Sequence, residues 1–246
     1  MISKLYHRAP LVIAMLVAGV VATAQAAAPA PFGILLNATG TAHGSSKWTL
    51  MIGDSLTNGV GAQAFAEFLT SSNGRSTFVA ASSGSSMPNW IGAGWLNDPA
   101  WGGPNLASLS EYEVFLKPAI TIVALGSNDA RILTASPSQY SADDNFWKVL
   151  DIVKRARAQS RCVLLTTVAD HWSAASSASV NAVNGNMHWA DLNMSGVYIA
   201  DWRNYSAGHA DWFNGPTDIH HSNVGKLQYA AYIGNVMKLL IASGQC

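Results

Sequence analysis

This chain has little charge. Lysine and arginine together number 14, aspartate and glutamate also 14, so charged residues make up only 11% of the 246 and the formal net charge is zero. With no basic run, nothing offers the electrostatic footprint that a nucleic-acid partner requires. Cysteine is scarcer still: Cys162 and Cys246 are the whole supply. No internal repeat is visible, and beyond the N-terminal stretch no apolar run is long enough to span a bilayer. What is plentiful is apolar and small residues. At 49% hydrophobic composition the chain can bury the core of one domain of ordinary size.

Residues 1–26 read as a removable leader. Lys4 and Arg8 make a basic start, an apolar run extends from Leu11 to Val21, and Ala24-Gln25-Ala26 supplies a small-residue cleavage site. That is the layout of a secretory signal peptide, the run being short for a membrane span. Residues 27–46 are expected to be a flexible leader, and residues 47–246 the folded domain, secreted or periplasmic. In an oxidising compartment two cysteines invite a disulfide. Cys162 opens a strand-like run and Cys246 follows the last helix, which in a sheet wrapped by crossover helices returns to the strands' amino ends. The alternative is a buried thiol and a frayed terminus.

From Lys47 onward short apolar runs rich in β-branched residues alternate with helical patterns. The runs are Trp48–Ile52, Thr77–Ala81, Ile120–Leu125, Cys162–Val168 and Val197–Asp201, continuous as strands buried on both faces should be. Helical stretches fall near 61–70, 105–116, 142–158, 179–191 and 224–242. Phe146, Val149, Leu150 and Val153 recur at i, i+3, i+4 and i+7, one buried stripe. This alternation predicts an α/β fold with a mostly parallel sheet and helices on both faces.

Parallel strands deliver the loops at their carboxyl ends to one edge, where open α/β sheets carry their chemistry. Four such loops matter: Gly53-Asp54-Ser55-Leu56, the run around Gly84, "GSNDA" with Gly126 and Asn128, and "NGPTDIHHSNVG" from 214 to 225. Together they hold the inventory for acyl transfer. A hydroxyl nucleophile needs a base, and histidine titrates in the right range. The tetrahedral oxyanion needs preplaced donors, each worth ~3 kcal/mol. Backbone N–H groups of Ser55 and Gly84 with the Asn128 amide would supply three. Taken singly, Ser55 is as well read as a helix cap, Gly84 as a turn glycine and Asn128 as a capping residue.

"GDSL" at 53–56, Gly84, "GSND" at 126–129 and "DIHHSNVG" at 218–225 together resemble the sequence blocks of the SGNH/GDSL hydrolases. The stretch "ADWRNYSAGHADWF", 200–213, also resembles the last-strand region of SGNH domains in bacterial secreted and acyltransferase-linked proteins. The resemblance runs from about Lys47 to the C-terminus. It implies a three-layer α/β/α sandwich with a five-stranded, flavodoxin-like parallel sheet. It also implies that Ser55 is the nucleophile and that Ser55, Gly84 and Asn128 form the oxyanion hole, with no cofactor. Members are mostly esterases, lipases and carbohydrate deacetylases, and some transfer acyl groups.

The fourth block departs from the family pattern, in which an aspartate stands three residues before the histidine and a glycine five after it. Counting from Asp218 selects His221; counting back from Gly225 selects His220. Ile219 and Ser222 also fit when His220 is the base, so His220 is preferred and His221 is the alternative. Asp218 is then the orienting acid, one residue late and reached through a shifted turn. A metal held by the adjacent histidines is not expected, because neighbours in a loop rarely aim at one ion and no acidic or cysteine cluster joins them.

Trp90, Trp95 and Trp101 in "MPNWIGAGWLNDPAWGGP" are candidate substrate-binding residues, since an indole stacks on sugar rings or holds an acyl chain. Equally, they can pack the loop onto the domain. No amphipathic lid helix is evident, which favours short-chain or O-acetyl esters, including carbohydrate-borne ones. Three readings stand: an exported serine esterase acting on a small-molecule or polysaccharide ester, an O-acyltransferase using the same site, and a non-catalytic carbohydrate- or surface-binding module.

Overall fold

The computed structural model describes residues 33–36, 48–60, 69–70, 74–91 and 117–246. Its centre is a sheet of five parallel strands, β2 (Trp48–Gly53), β3 (Ser76–Ala81), β4 (Ile120–Ala124), β5 (Cys162–Thr166) and β6 (Val197–Ala200). Their spatial order is β3-β2-β4-β5-β6, with β1 (Gly33–Leu36) added outside β3. Pairing is parallel throughout except at β1, which runs antiparallel to β3 in the register Gly33 to Ala81. Each predicted strand is present within a residue or two of its expected bounds. Within the stretch expected as a leader, 27–46, the four residues of β1 pair with the edge of β3, so an edge is covered that the sequence pattern had left open. The rest of that stretch, residues 1–26, and the helices expected at 105–116 and over most of 61–70 lie outside the described residues.

Both faces of the sheet are buried, which is why its strands read as unbroken apolar runs. Alternation sorts the side chains: Leu50, Ile52, Val123, Val163 and Leu165 join one core, while Met51, Ile122, Leu164 and Val79 join the other. The first core is closed by α3 (Ser127–Ala135), α4 (Ala142–Gln159) and α5 (Ser177–Asn193) through Leu133, Val149, Val153, Val183 and Met187. The second is closed by α7 (Asn223–Ala242), through Tyr229, Ile233 and Met237. The result is the three-layer α/β/α sandwich.

Local chemistry starts the long helices where it should. Ser141 opens α4 with a capping box, its Oγ accepting from Asp144 N at 3.1 Å while the Asp144 carboxylate accepts from Ser141 N at 2.9 Å. Ser176 caps α5 and Ser222 caps α7 with one side-chain bond each, accepting from Ser179 N and Gly225 N. Cys162 and Cys246 are joined, with 5.5 Å between their α carbons. The bridge ties the end of the chain after α7 to the amino end of β5, the edge opposite the candidate site, and closes a loop of 84 residues. Constraining a loop of that length removes about 4.6 kcal/mol of unfolded-chain entropy.

Candidate active site

The strand order β3-β2-β4 makes β2 the place where chain connections diverge to either side, the crevice in which doubly wound sheets bind ligands. Immediately past β2 the chain enters α1 (Ser55–Val60). Asp54, not Ser55, caps this helix. Its Oδ1 accepts from Leu56 N at 2.9 Å and its carbonyl from Asn58 N at 3.0 Å. The Ser55 hydroxyl is therefore released from capping, and it points elsewhere.

It points to His220. Ser55 Oγ lies 3.0 Å from His220 Nε2, and His220 Nδ1 lies 2.7 Å from Asp218 Oδ1. A carboxylate only accepts, so Nδ1 carries the proton and Nε2 is left to receive one from the serine. The His220 backbone N–H also donates to Asp218 Oδ1, at 2.9 Å. That bond first, and the imidazole second, hold the Asp218 carboxyl below the usual carboxylate range.

What brings these residues together is a small hairpin, β7 (Phe213–Gly215) and β8 (Asp218–His221), paired antiparallel around the turn Pro216-Thr217. The expectation of a shifted turn at Asp218 is corrected here: the segment is a strand. Along β8 burial alternates, Asp218 and His220 half-buried, Ile219 and His221 buried. A period of two puts an aspartate two residues before a histidine on the same face. Asp-x-His in a strand thus reaches the contact that the usual spacing reaches otherwise.

The same alternation removes His221 as the alternative base. It faces inward, 3% exposed, against Trp202, Tyr229 and Phe213. Neither ring nitrogen has a hydrogen-bond partner among the described residues. Burial, helped by the charges of His220 and Lys226, pushes its pKa down to about 3. The other pattern residues are structural. Ser222 Oγ accepts from Gly225 N at 3.2 Å and donates to the Asp211 carbonyl at 2.7 Å. A β carbon at Gly225 would stand 1.8 Å from the Trp212 carbonyl oxygen, so only glycine lets α7 start this close behind His220.

The two strands that flank β2 deliver the other expected residues to this edge. Gly84 sits with φ +81° in the turn after β3, and Asn128 in the first turn of α3 after β4. The hub between them is Ser85, which the sequence reading had not singled out. Its carbonyl accepts from Asn128 Nδ2 at 3.0 Å, and its buried Oγ lies 2.8 Å from the Ser82 carbonyl and 3.2 Å from that of Gly53. One hydrogen of the Asn128 amide is thereby engaged, and the second meets no acceptor among the described residues. Two further carboxylates brace the loops from below. Asp54 accepts from Ser127 Oγ, and Asp129 Oδ2 from Met87 N at 3.1 Å while Tyr140 donates to its Oδ1 at 2.8 Å. Burial raises both aspartates to about 6.

Trp90 is corrected as a substrate-binding residue. It is fully buried, its indole N–H donating to Ser85 Oγ at 3.1 Å, so it packs the loop and offers no free face. Trp95 and Trp101 lie outside the described residues. Among the described residues no group of three histidine, cysteine or acidic side chains is gathered, and no helix is long and apolar enough to cross a membrane.

No protein-family profile matches the chain, and no curated protein matches it by sequence. Solved structures do. The C-terminal catalytic domain of peptidoglycan O-acetyltransferase A from Streptococcus pneumoniae superposes with a TM-score of 0.53 at 17% identity, over 80% of this chain and 95% of that one. A lipase/acylhydrolase from Enterococcus faecalis gives 0.57 at 14% identity, over 78% and 95%. An acetylxylan esterase from Geobacillus stearothermophilus gives 0.53 at 14% identity, over 78% and 94%. The fold is that of the SGNH hydrolases. On this SGNH frame the serine, glycine, asparagine and histidine blocks all emerge at the carboxyl edge of the parallel sheet, with Ser55, His220 and Asp218 joined in one chain of contacts.

Proposed function

We propose that the chain is an exported serine esterase that cleaves short acyl or O-acetyl esters through an acyl-enzyme on Ser55. The observation that carries this reading is the unbroken relay from Ser55 Oγ through His220 to Asp218, at 3.0 and 2.7 Å. In it Ser55 Oγ attacks the ester carbonyl as His220 Nε2 takes its proton. Asp218 holds the imidazole in the required tautomer and stabilises the imidazolium. Charge developing on the carbonyl oxygen is met by the N–H groups of Ser55 and Gly84 and by the second hydrogen of Asn128 Nδ2. The leaving alcohol takes the proton from His220, and water, activated by the same imidazole, releases the acid. Export is supported by the signal-peptide pattern of residues 1–26 and by the Cys162–Cys246 bridge.

The second reading is an O-acyltransferase, in which a sugar hydroxyl replaces water at the acyl-enzyme. The likeness to an O-acetyltransferase catalytic domain supports it. Hydrolysis of p-nitrophenyl acetate and butyrate, with and without a sugar acceptor, separates the two by product. Ser55→Ala and His220→Ala are expected to lower kcat by about 10³-fold or more. A wild type no faster than Ser55→Ala on either ester, with or without acceptor, overturns both in favour of a binding module.

A further inference from the structure

The hairpin that carries Asp218 and His220 is too small to hold itself. Its strands have three and four residues, and a two-stranded ribbon of that size is marginal in water. One of its faces meets Ser55. On the face turned away from the relay, where Phe213 pairs with His221, lies a cavity of about 350 Å³ lined by Asp170, His171, Arg203, His209 and Phe213.

The wall of that cavity braces the hairpin. His171, in the segment after β5, stacks on Phe213 with 4.2 Å between ring centroids. Its Nε2 lies 2.9 Å from the Gly215 carbonyl oxygen, which only accepts, so this nitrogen carries the proton and donates. Two residues on, Ser173 N donates to the Thr217 carbonyl at 3.2 Å. These bonds hold the carbonyls on either side of Pro216, the second in the peptide that leads into Asp218. Gly215 is also the residue paired with Asp218. Fixing both carbonyls fixes where the Asp218 side chain starts from, and hence its 2.7 Å contact with His220 Nδ1.

The brace is itself tied to the sheet. Asp170, next to His171, accepts from Arg203 Nη2 at 3.2 Å and from Ser177 Oγ at 3.1 Å. Arg203 N donates at 2.9 Å to Thr167 Oγ1, one residue past β5. A path of contacts therefore runs from the end of β5 through Asp170 and His171 to the acid of the relay. Histidine suits this position because it joins a flat ring for Phe213 to an edge donor for the carbonyl. Phenylalanine would keep only the ring, and glutamine only the donor.

We propose that His171 is a positioning residue, which holds the β7–β8 hairpin where Asp218 can orient His220. The inference rests on the esterase reading and adds to it a residue outside the four sequence blocks. His171 acts through Gly215 and Asp218, so its loss should be felt in kcat and not in KM. The test is p-nitrophenyl acetate hydrolysis by the full chain carrying His171→Ala, His171→Phe or His171→Gln, at a temperature where circular dichroism shows each variant folded. In His171→Ala kcat is expected to fall about tenfold, and in His171→Phe by less. His171→Gln should return to within about threefold of wild type, with KM within about twofold throughout. An unchanged kcat in all three, or a loss confined to KM, overturns the proposal. A second measurement needs no turnover: nitrogen shifts of the neutral His220 ring, detected through its carbon-bound protons, report which ring nitrogen carries the proton. Wild type should hold the Nδ1–H form that Asp218 selects. His171→Ala should move the ring toward the Nε2–H form, and His171→Gln should move it back. Identical tautomer populations in wild type and His171→Ala overturn the proposal as well. If wild type hydrolyses no p-nitrophenyl ester, the esterase reading fails, and the tautomer measurement alone decides the role of His171.

Discussion

Asp218 and His220 share one face of strand β8, and their side chains meet at 2.7 Å. Between them Ile219 points into the core, and beyond them His221 does the same. The strand thereby presents one histidine to Ser55 and hides the other.

The first prediction concerns that contact. Asp218→Asn should lower kcat for p-nitrophenyl acetate by at least about 10², toward the 10⁴ seen when a triad carboxylate is neutralised. The smaller end is expected because the Asp218 side chain is 43% exposed and water can partly replace it. Stopped assays with matched folded protein measure it. A kcat within twofold of wild type would mean that the imidazole is oriented without the carboxylate.

His221 gives the opposite expectation. His221→Phe should leave turnover within about threefold while flattening the acid limb of stability. With its folded pKa at about 3 and its unfolded value near 6.5, native His221 contributes stability above pH 6.5 that is lost as pH falls toward 3. Between pH 6.5 and 4.5 wild type should lose about 2 kcal/mol relative to the variant. Urea unfolding at both pH values reads the difference directly, since every other titrating group is common to both proteins.

For Asp54 the sign reverses. Burial raises its pKa to about 6, so its contribution is fully present below about pH 4 and is lost as pH rises through 6. Asp54→Asn keeps an oxygen to accept from Leu56 N and removes the buried charge. Wild type should therefore lose about 2 kcal/mol against the variant between pH 4 and pH 7. A stability difference that stays flat across that range would show that Asp54 titrates as an ordinary carboxylate.

Ser85→Ala probes the loops. It leaves the Trp90 indole N–H without its acceptor in a fully buried site, which should cost about 1–3 kcal/mol in unfolding experiments. Because the Ser85 hydroxyl also holds the loop whose backbone carbonyl anchors Asn128, kcat should drop about tenfold with KM little changed, the signature of a loss felt in the transition state. A rise in KM alone would place Ser85 in substrate binding instead.

Much of this was legible in the chain of residues. Strands buried on both faces must be continuous apolar runs, and Trp48–Gly53, Ile120–Ala124 and Cys162–Thr166 are such runs whatever surrounds them. The turn formers after them announce loops, and parallel strands bring those loops to one edge. Cys162 and Cys246 could be paired from the direction in which the last helix had to run. All of these are consequences of local pattern and of how short connections can be made.

Other features required the folded molecule. Whether Ser55 or Asp54 caps α1 depends on which side chain can reach Leu56 N, and both are capping types. Whether Asp218 serves His220 depended on β8 being a strand, which Phe213–Gly215 decides by pairing with it across the turn. Trp90 is aromatic in either role; only the Ser85 hydroxyl beside its indole and the absence of exposed surface make it a packing residue. His171, Arg203 and Phe213 are far apart in sequence and no motif links them, so the cavity they line has no sequence signature. Sequence alone determined which segments become the five parallel strands and which reactive types stand in the loops after them. Tertiary structure decided which of those side chains face one another, because that depends on pairing register and on packing between segments remote in the chain.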